Sequence, residues 1–475
     1  MRVSAPKIGL FGIGLDTYWA QFDGLKDRLE GYLSQVETQL TAINPNIVNA
    51  GLVDTTDKAF EAGQLFRQED VSLIFLYVTT YALSSTVLPV VQRAKVPIII
   101  LNLAPEAAID YENFNKKDDR TQMTGEWLAH CSACSVPEIA NVFKRTGIKF
   151  HQVTGILHDD PSVGREISEW MEAAKVAHTM AYNRLGCMGH YYSGMLDIYS
   201  DLTLQYAHFG GHIELLEVEE LVTHRKNVTG KEAQERVAVF QKTFDVQPDC
   251  SENELLNAAI TSVALDKLVA QHKLGSMAYY YKGTGNAENE NAIASIILGN
   301  SLLTANGIPV AGEYEIKNAQ AMKIMDTFGA GGSFTEYYAL DFKDDVVLMG
   351  HDGPGHIGIA EGKTKVRPLG VYHGKVGSGL SVEMSVKNGA VTLLSVVEKS
   401  GKLMLLVAEA ESVAGPILQI GNTNSRYKFP IGAKQFVNNW NSHGPAHHCA
   451  VGVGHIASKI EKLGALLDME VVKVC

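Results

Sequence analysis

The chain has 475 residues, of which 46% are hydrophobic and 20% are charged, an ordinary composition for a globular protein with sizeable cores. At roughly 150 residues per domain, this length predicts about three domains. The net charge of −12 argues against a general nucleic-acid binder, and the absence of any run of about 18 apolar residues argues against a membrane span.

The start of the chain and its cysteines predict a cytoplasmic protein. The short apolar run after Arg2 and Lys7 lacks the longer apolar core and the small-residue cleavage site of a signal peptide. We therefore predict that KIGLFGI forms a buried first strand. The six cysteines are scattered over the whole chain, and such thin use of cysteine fits a reducing compartment.

Strand and helix patterns alternate over residues 1–180. The apolar runs of strand length lie at 7–13, 46–53, 71–78, 96–103 and 150–157. The helical patterns lie near 22–40, 57–68, 79–94, 125–146 and 162–180. Strands buried on both faces with helices between them are typical of parallel sheets, so we predict an open, doubly wound α/β domain. Ligands in such sheets bind beyond the carboxyl ends of the strands, and GLDTYW at 14–19 leaves the first strand at such an end.

A second doubly wound α/β domain is predicted over residues 181–330. Its helical patterns lie at 230–244, 252–272 and 291–305, and its clearest strand pattern lies at 276–281. Over residues 331–475 the composition changes to glycine and short apolar runs, at 345–353, 365–374, 390–398, 402–410 and 415–422. Closely spaced strands with turn signals predict a C-terminal, mainly antiparallel and barrel-like β domain, followed by a final helix at 457–469.

Three short motifs have stronger structural than functional interpretations. GIG at 12–14 and KGTG at 282–285 lack the third glycine and the acidic residue of a dinucleotide fingerprint, so they indicate tight turns at strand exits. Cys131-Ser-Ala-Cys134 has the spacing of a redox or zinc motif, but the sequence has no second such pair. We therefore predict that the two cysteines lie on the buried face of a helix.

Histidines and carboxylates gather near glycines in the second half of the chain. The stretch NSHGPAHHCAVGVGH at 441–455 contains His443, His447, His448 and His455. Comparable positions upstream are held by Glu313, Glu315, Glu336, His351, Asp352 and His356. Strand ends and turns can direct several side chains into one cleft, so we expect a mixed N/O donor set suited to a divalent ion such as Mn²⁺. No thiolate is needed, which argues against a closed structural zinc site, although each residue alone could be a surface charge or a hydrogen-bonded core histidine.

Four segments resemble the L-arabinose isomerase family, within the wider L-arabinose/L-fucose isomerase group. In chain order, with spacing that agrees with the family, they are GEYEIKNAQAMKIM, GGSFTEYYALDF, VVLMGHDGPGHIGIA and GPAHHCAVG. The resemblance implies that the metal ligands are Glu313, Glu336, His351 and His448 and that the two glutamates are also the acid/base pair. It implies a metal-dependent interconversion of an aldose and a ketose, of the L-arabinose to L-ribulose type, through an enediolate. The implied cofactor is Mn²⁺ or another divalent cation.

Three segments depart from the family pattern. Glu315 stands where the family commonly has aspartate, GLDTYW differs from the usual Gly-Ser-Gln-His-Leu-Tyr-Gly, and GCMGHYYSGM at 186–195 replaces Asp-Asn-Met-Arg. Since N-terminal residues help to hold the sugar in the family, we expect Asp16 and Tyr18 to contact the sugar. His447 is expected to face the substrate or to orient a metal ligand.

The resemblance also implies the partners of this chain. These are a small-molecule sugar, no nucleic acid, no membrane, and further copies of the chain in a homotrimer or homohexamer. Two alternatives are an isomerase or epimerase of another sugar or sugar acid, and a non-catalytic, two-lobed sugar-binding module. A binding module needs no Glu/His metal set, so the presence of that set favours the enzyme.

Overall fold

The computed structural model describes residues 5–369 and 379–475. The chain divides into two compact units, one ending at His178 and the other running from Thr179 to Cys475. The division into three domains at residues 180 and 330 stays a prediction. None of the helices in the described residues is long and apolar enough to cross a bilayer.

The N-terminal unit is a parallel sheet with helices between its strands. Its elements are β1 (Lys7–Ile13), α1 (Leu25–Ile43), β2 (Ile47–Val53), α2 (Thr56–Gln68), β3 (Val71–Tyr77), α3 (Leu88–Ala94), β4 (Ile98–Ala104), α4 (Tyr111–Asn115), α5 (Arg120–His130), α6 (Ser135–Arg145), β5 (Phe150–Ile156) and α7 (Pro161–Tyr182). The strand order is β2-β1-β3-β4-β5, and every neighbouring pair is parallel. The long apolar strands β1, β3 and β4 are buried because helices cover both faces of such a sheet. The predicted doubly wound α/β fold is confirmed.

Two helix predictions in this unit were wrong in part. Residues 79–83 do not begin a helix, because the Thr79 hydroxyl accepts a hydrogen bond from Ile13 N (3.2 Å) and Ala82 N donates to the Ser135 hydroxyl (3.0 Å). The helix predicted over 125–146 is interrupted between α5 and α6. Since proline is tolerated only in the first turn of a helix, α6 begins shortly before Pro137.

The interruption contains both cysteines of the Cys-x-x-Cys motif, so its predicted position on a helix face was wrong. Cys131 follows α5 and is buried, whereas Cys134 precedes α6 and is exposed. Burial, followed by the adjacent Cys134 thiol, raises the pKa of Cys131 to about 12. A thiol with such a pKa is a poor nucleophile at neutral pH.

The second unit begins with another parallel sheet. Its elements are β6 (Arg184–Gly189), α8 (Leu202–Phe209), β7 (His212–Leu216), α9 (Val218–Lys226), α10 (Gly230–Thr243), β8 (Asp245–Val246), α11 (Glu252–His272), β9 (Ser276–Tyr280), α12 (Ala287–Ala294), α13 (Ile297–Ala305), β10 (Val310–Ala311) and α14 (Ile316–Thr327). The strand order is β10-β9-β6-β7. The helix predicted over 291–305 is divided between α12 and α13, where the Ser295 hydroxyl donates to Asn291 O (2.7 Å) and competes with the helical hydrogen bonds.

A closed antiparallel barrel follows. The remaining elements are β11 (Gly331–Asp341), β12 (Val346–His351), β13 (Lys365–Pro368), β14 (Leu380–Glu383), β15 (Gly389–Lys399), β16 (Lys402–Ser412), β17 (Thr423–Lys428), α15 (Ala433–Ser442), β18 (His448–Val453), α16 (Ala457–Leu467) and β19 (Glu470–Lys473). Six strands in the order β15-β18-β11-β12-β17-β16 close through the β15–β16 pair. β19 joins β16 in parallel, and β8, β13 and β14 form a separate small sheet. The predicted barrel-like C-terminal region is confirmed.

One barrel strand lies next to its predicted position. The apolar run at 415–422 is not a strand, and its Leu418 and Ile420 are exposed. The strand is β17, whose polar residues are buried because neighbouring strands satisfy them, as where His351 N on β12 donates to the Thr423 hydroxyl (2.8 Å). The predicted run at 365–374 includes β13, and its residues 370–374 lie outside the described part of the chain.

Helix α14 positions the site. Every residue from Ile316 to Met325 is buried, including Lys317 and Lys323, and the helix contacts strands β9, β10, β11, β15 and β18. A helix buried on all sides has no freedom to shift relative to the strands around it. The turn that precedes α14 is therefore held against the barrel strands.

Candidate metal centre

Three adjoining barrel strands carry most of the site. Glu336 on β11 is paired across the sheet with His448 on β18, and on its other side with Gly350 on β12. His351 follows Gly350 as the last residue of β12, where the Thr423 hydroxyl receives its N–H (2.8 Å). The antiparallel register therefore brings residues that are far apart in sequence to one place on the barrel.

Glu313 reaches the same place from the turn between β10 and α14. Glu313 and Tyr314 both have left-handed backbone conformations, with φ of 57° and 64°. The turn is closed by a hydrogen bond from Glu315 N to Gly312 O (3.0 Å) and is tied to β9 by Tyr314 N donating to Tyr279 O (3.0 Å). Two consecutive non-glycine residues in this region are uncommon, and such strain is concentrated at functional sites.

The carboxylates and imidazoles converge. Glu313 Oε2 is 3.4 Å from His448 Nε2 and 3.8 Å from His447 Nε2, while Glu313 Oε1 is 3.8 Å from His351 Nε2. Glu336 Oε2 is 3.9 Å from His447 Nε2 and 4.0 Å from His448 Nε2. The ligand atoms of Glu313, His447 and His448 all lie within 4.8 Å of one another, a spacing at which one ion could contact all three.

Both histidines of the pair 447–448 are held by carboxylates through Nδ1. Glu315 Oε2 lies 2.5 Å from His448 Nδ1, and both side chains are inaccessible to solvent. Asp197 Oδ2 lies 2.6 Å from His447 Nδ1 and also accepts the His447 backbone N–H (2.9 Å). A carboxylate on one ring nitrogen leaves the other nitrogen free to bind a metal, which is the usual arrangement behind metal-binding histidines.

Burial and neighbouring groups shift the pKa values at the centre. Burial, with the nearby His351 and His447, lowers the pKa of His448 well below its usual range. Burial raises the pKa of Glu315 to about 8. The two directions agree, because low polarity disfavours charge on either member of the pair. Burial opposes ionisation of Glu313 as well, but His351, His448 and His447 outweigh it and lower the pKa of that carboxyl.

The donor set fits a divalent cation. Among the described residues, Glu313 Oε2 and His448 Nε2 are buried atoms with no hydrogen-bond partner, although they face each other. Buried polar atoms are normally satisfied, so an oxygen and a nitrogen side by side without hydrogen-bond partners fit a cation site. Carboxylate oxygen and imidazole nitrogen suit Mn²⁺ and similar first-row cations.

The structure places the remaining predicted residues elsewhere. The Glu315 carboxylate contacts Nδ1 of His448, whereas Glu313 lies at Nε2 of the same ring. His356 is buried beside Gly331, and its backbone N–H donates to the Ser333 hydroxyl (3.2 Å). Burial lowers the pKa of the His356 imidazole. His443 follows α15, and His455 Nε2 donates to Ala410 O (3.1 Å).

Asp16 and Tyr18 belong to the N-terminal unit, on a short 3₁₀ helix, Asp16–Tyr18, that follows β1. The Tyr18 ring packs against Phe22, with centroids 5.8 Å apart. Their contact with a sugar stays a prediction.

Sequence reasoning missed Asp197 and Phe334. Asp197 lies on a 3₁₀ helix, Leu196–Ile198, in a loop with no recognisable motif. The Phe334 ring lies 4.5 Å from the ring of His351 and 4.3 Å from that of His448. The only available signal was its place in GGSFTEYY, two residues before Glu336, since alternate residues of a strand share a face.

The divergent segment 186–195 adds an aromatic wall beside Glu313. Tyr192 N donates to Glu313 O (3.5 Å), and the Tyr192 ring is 4.5 Å from that of Tyr280. The His190 ring meets that of Tyr280 edge-on, with centroids 5.4 Å apart. Aromatic faces with polar edges suit the mixed apolar and hydroxylated surface of a sugar.

Parts of this chain are similar to known proteins. Residues 331–470 match the family described as L-arabinose isomerase C-terminal domain. This matched range includes Glu336, His351 and His448 but not Glu313. An L-arabinose isomerase of Nocardioides sp. is 23% identical over 353 residues, which span 71% of this chain and 68% of that protein.

Proposed function

We propose that this chain, which is a divergent member of the L-arabinose isomerase family, interconverts an aldose and a ketose, as in the conversion of L-arabinose to L-ribulose. The observation that carries the proposal is the convergence of Glu313, His447 and His448 within 4.8 Å, with Glu336 and His351 beside them. This arrangement offers a cation site with two carboxylates next to it. Aldose–ketose isomerisation needs both.

The proposed ligands of the cation are Glu313, Glu336, His351 and His448. When bound, Mn²⁺ or another divalent cation polarises the substrate carbonyl and stabilises the negative charge of an enediolate. The fit of the site to a cation is supported by the orphaned Glu313 and His448 atoms. Metal analysis of the purified chain tests this assignment directly.

The two glutamates are the proposed acid/base pair. In an open-chain aldose one carboxylate takes the proton from C2 and returns a proton to C1, while the other group moves the hydroxyl proton from O2 to O1. The carbonyl thereby moves from C1 to C2, and no oxidant or reductant is consumed. Glu313 and Glu336 both lie within 4.0 Å of His448 Nε2, so a single bound sugar could reach both.

Replacing either glutamate by glutamine tests these roles. General acid–base catalysis contributes about 10²–10⁴-fold, so Glu313→Gln and Glu336→Gln should each lower kcat at least about 100-fold while the chain stays folded by circular dichroism. Glu411→Gln is a matched control, because Glu411 lies on barrel strand β16 with half of its side chain exposed. This control should keep wild-type turnover. Near-normal turnover in Glu313→Gln or Glu336→Gln would remove that residue from the mechanism.

A different sugar or sugar acid is the second candidate substrate, favoured by the aromatic wall. Tyr192 lies in the segment where the family pattern is absent; its backbone contacts Glu313, and its ring packs against that of Tyr280 on β9. A panel of aldoses with Mn²⁺, scored for ketose formation, separates the candidates. Conversion of L-arabinose supports the first, and conversion of another aldose alone supports the second. An epimer as product would indicate an epimerase, and binding without turnover would indicate a sugar-binding module.

Assembly and compartment follow from the family resemblance and from the thin use of cysteine. We expect a homotrimer or homohexamer in a reducing cytoplasm, with no nucleic-acid or membrane partner. Light scattering of the purified chain at several concentrations would measure the assembly. A monomer at all concentrations would contradict this expectation.

A further inference from the structure

His447 and His448 are neighbours in sequence that face one centre. Their ring centroids are 3.8 Å apart, and their Nε2 atoms lie 3.8 Å and 3.4 Å from the same Glu313 oxygen. Successive side chains of a strand point to opposite faces, and β18 begins only at His448. The strand therefore orients His448 and does not orient His447.

Something outside the strand has to hold His447. Its side chain is 38% exposed, so the ring would be free to rotate without a tie. Asp197 Oδ2 supplies two ties, because it accepts both the backbone N–H and the ring Nδ1–H of His447. An ionised carboxylate only accepts hydrogen bonds, so this contact places the ring proton on Nδ1 and leaves the Nε2 lone pair facing Glu313 and Glu336.

Asp197 is itself anchored to the barrel and to α14. Lys317 Nζ donates to Asp197 O (2.5 Å), and Ile198 is fully buried. Ser200, two residues further on, donates its hydroxyl proton to Glu398 Oε2 on β15 (2.9 Å). The partly exposed carboxylate therefore projects from a fixed backbone, as a group that orients a ligand must.

The arrangement repeats the one behind His448, where Glu315 contacts Nδ1 and leaves Nε2 directed at Glu313. We propose that Asp197 is a positioning residue that makes His447 an additional nitrogen ligand of the cation, beside His351 and His448. This inference rests on the proposed cation site and deepens it. His447 then binds the cation instead of the sugar.

A double-mutant cycle with Mn²⁺ as the probe tests this role. In the full-length chain, Asp197→Asn and His447→Gln should each weaken Mn²⁺ binding about 10–100-fold by titration calorimetry. Because Asp197 acts through His447, the double variant should bind no more weakly than His447→Gln alone. Asp201→Asn is the matched control, since Asp201 caps α8 in the same loop by accepting the N–H groups of Thr203 and Leu204. It should bind Mn²⁺ as the wild type does.

Two spectroscopic measurements do not depend on turnover. In the metal-free chain labelled with ¹⁵N-histidine, the wild-type His447 signal should show a proton on Nδ1, and Asp197→Asn should shift protonation toward Nε2. Pulsed electron paramagnetic resonance of bound Mn²⁺ should count three histidine nitrogens in the wild type and two in His447→Gln.

The outcomes separate this inference from the proposed function. Mn²⁺ affinity of Asp197→Asn within about twofold of wild type, additive effects in the cycle, or a wild type that binds no Mn²⁺ would each overturn it. Mn²⁺ binding that depends on Asp197, in a chain that isomerises no aldose, would uphold this inference and overturn the proposed activity.

Discussion

Replacing Glu315 by aspartate tests whether the centre depends on the length of this side chain. Glu315 Oε2 lies 2.5 Å from His448 Nδ1, and both groups are shielded from water. Removing one methylene withdraws the carboxylate by roughly 1.5 Å, the length of one carbon–carbon bond. If the backbone stays in place, the O···N distance grows to roughly 4 Å, which no longer counts as a hydrogen bond.

The expected loss follows from this geometry. Loss of a partner that orients a metal-binding histidine typically costs about 10–100-fold in metal affinity, at about 1.4 kcal/mol for each factor of ten. Glu315→Asp should therefore bind Mn²⁺ roughly 10–100-fold more weakly than wild type by titration calorimetry, although aspartate is the residue common in the family. Glu411→Asp, at an exposed position of the same barrel, is the control and should bind normally. If Glu315→Asp kept its affinity within about twofold, the proposed orienting role of the Glu315–His448 contact would be refuted.

Two further predictions concern packing and pH. The Phe334 ring contacts the rings of His351 and His448. Because an aromatic pair contributes about 0.5–1.5 kcal/mol, Phe334→Leu should weaken Mn²⁺ binding by roughly 2- to 10-fold in the folded chain. Unchanged affinity would contradict this prediction. In the N-terminal unit, hydrogen bonds from Ser162, Ile156 and Val163 lower the pKa of Asp160 from 3.8 to about 2. A lowered folded-state pKa contributes stability above the unfolded-state value, so the stability difference between wild type and Asp160→Asn should be constant above about pH 5 and shrink toward about pH 2. Urea denaturation at several pH values measures it, and a difference that grows below pH 4 would refute this assignment.

Local patterns in the sequence determined most of the fold. Uninterrupted apolar runs such as 71–78 predicted buried parallel strands, and β3 occupies that run. Helices were overextended where a side chain competes with the backbone, as at Thr79 and Ser295. The polar strand β17 was missed because its burial depends on hydrogen bonds from other strands, and no local pattern records those.

The sequence by itself also determined which residue types could hold a cation, since carboxylates and imidazoles beside glycine are recognisable one segment at a time. Only the tertiary structure decided how they meet. The barrel register pairs Glu336 with His448, and a left-handed turn carries Glu313 to them. Asp197 contacts a histidine 250 positions away, from a loop without a motif. The physical reason is that a propensity is a property of neighbouring residues, whereas a ligand set depends on distances that exist only after strands pair and a buried helix is fixed against them.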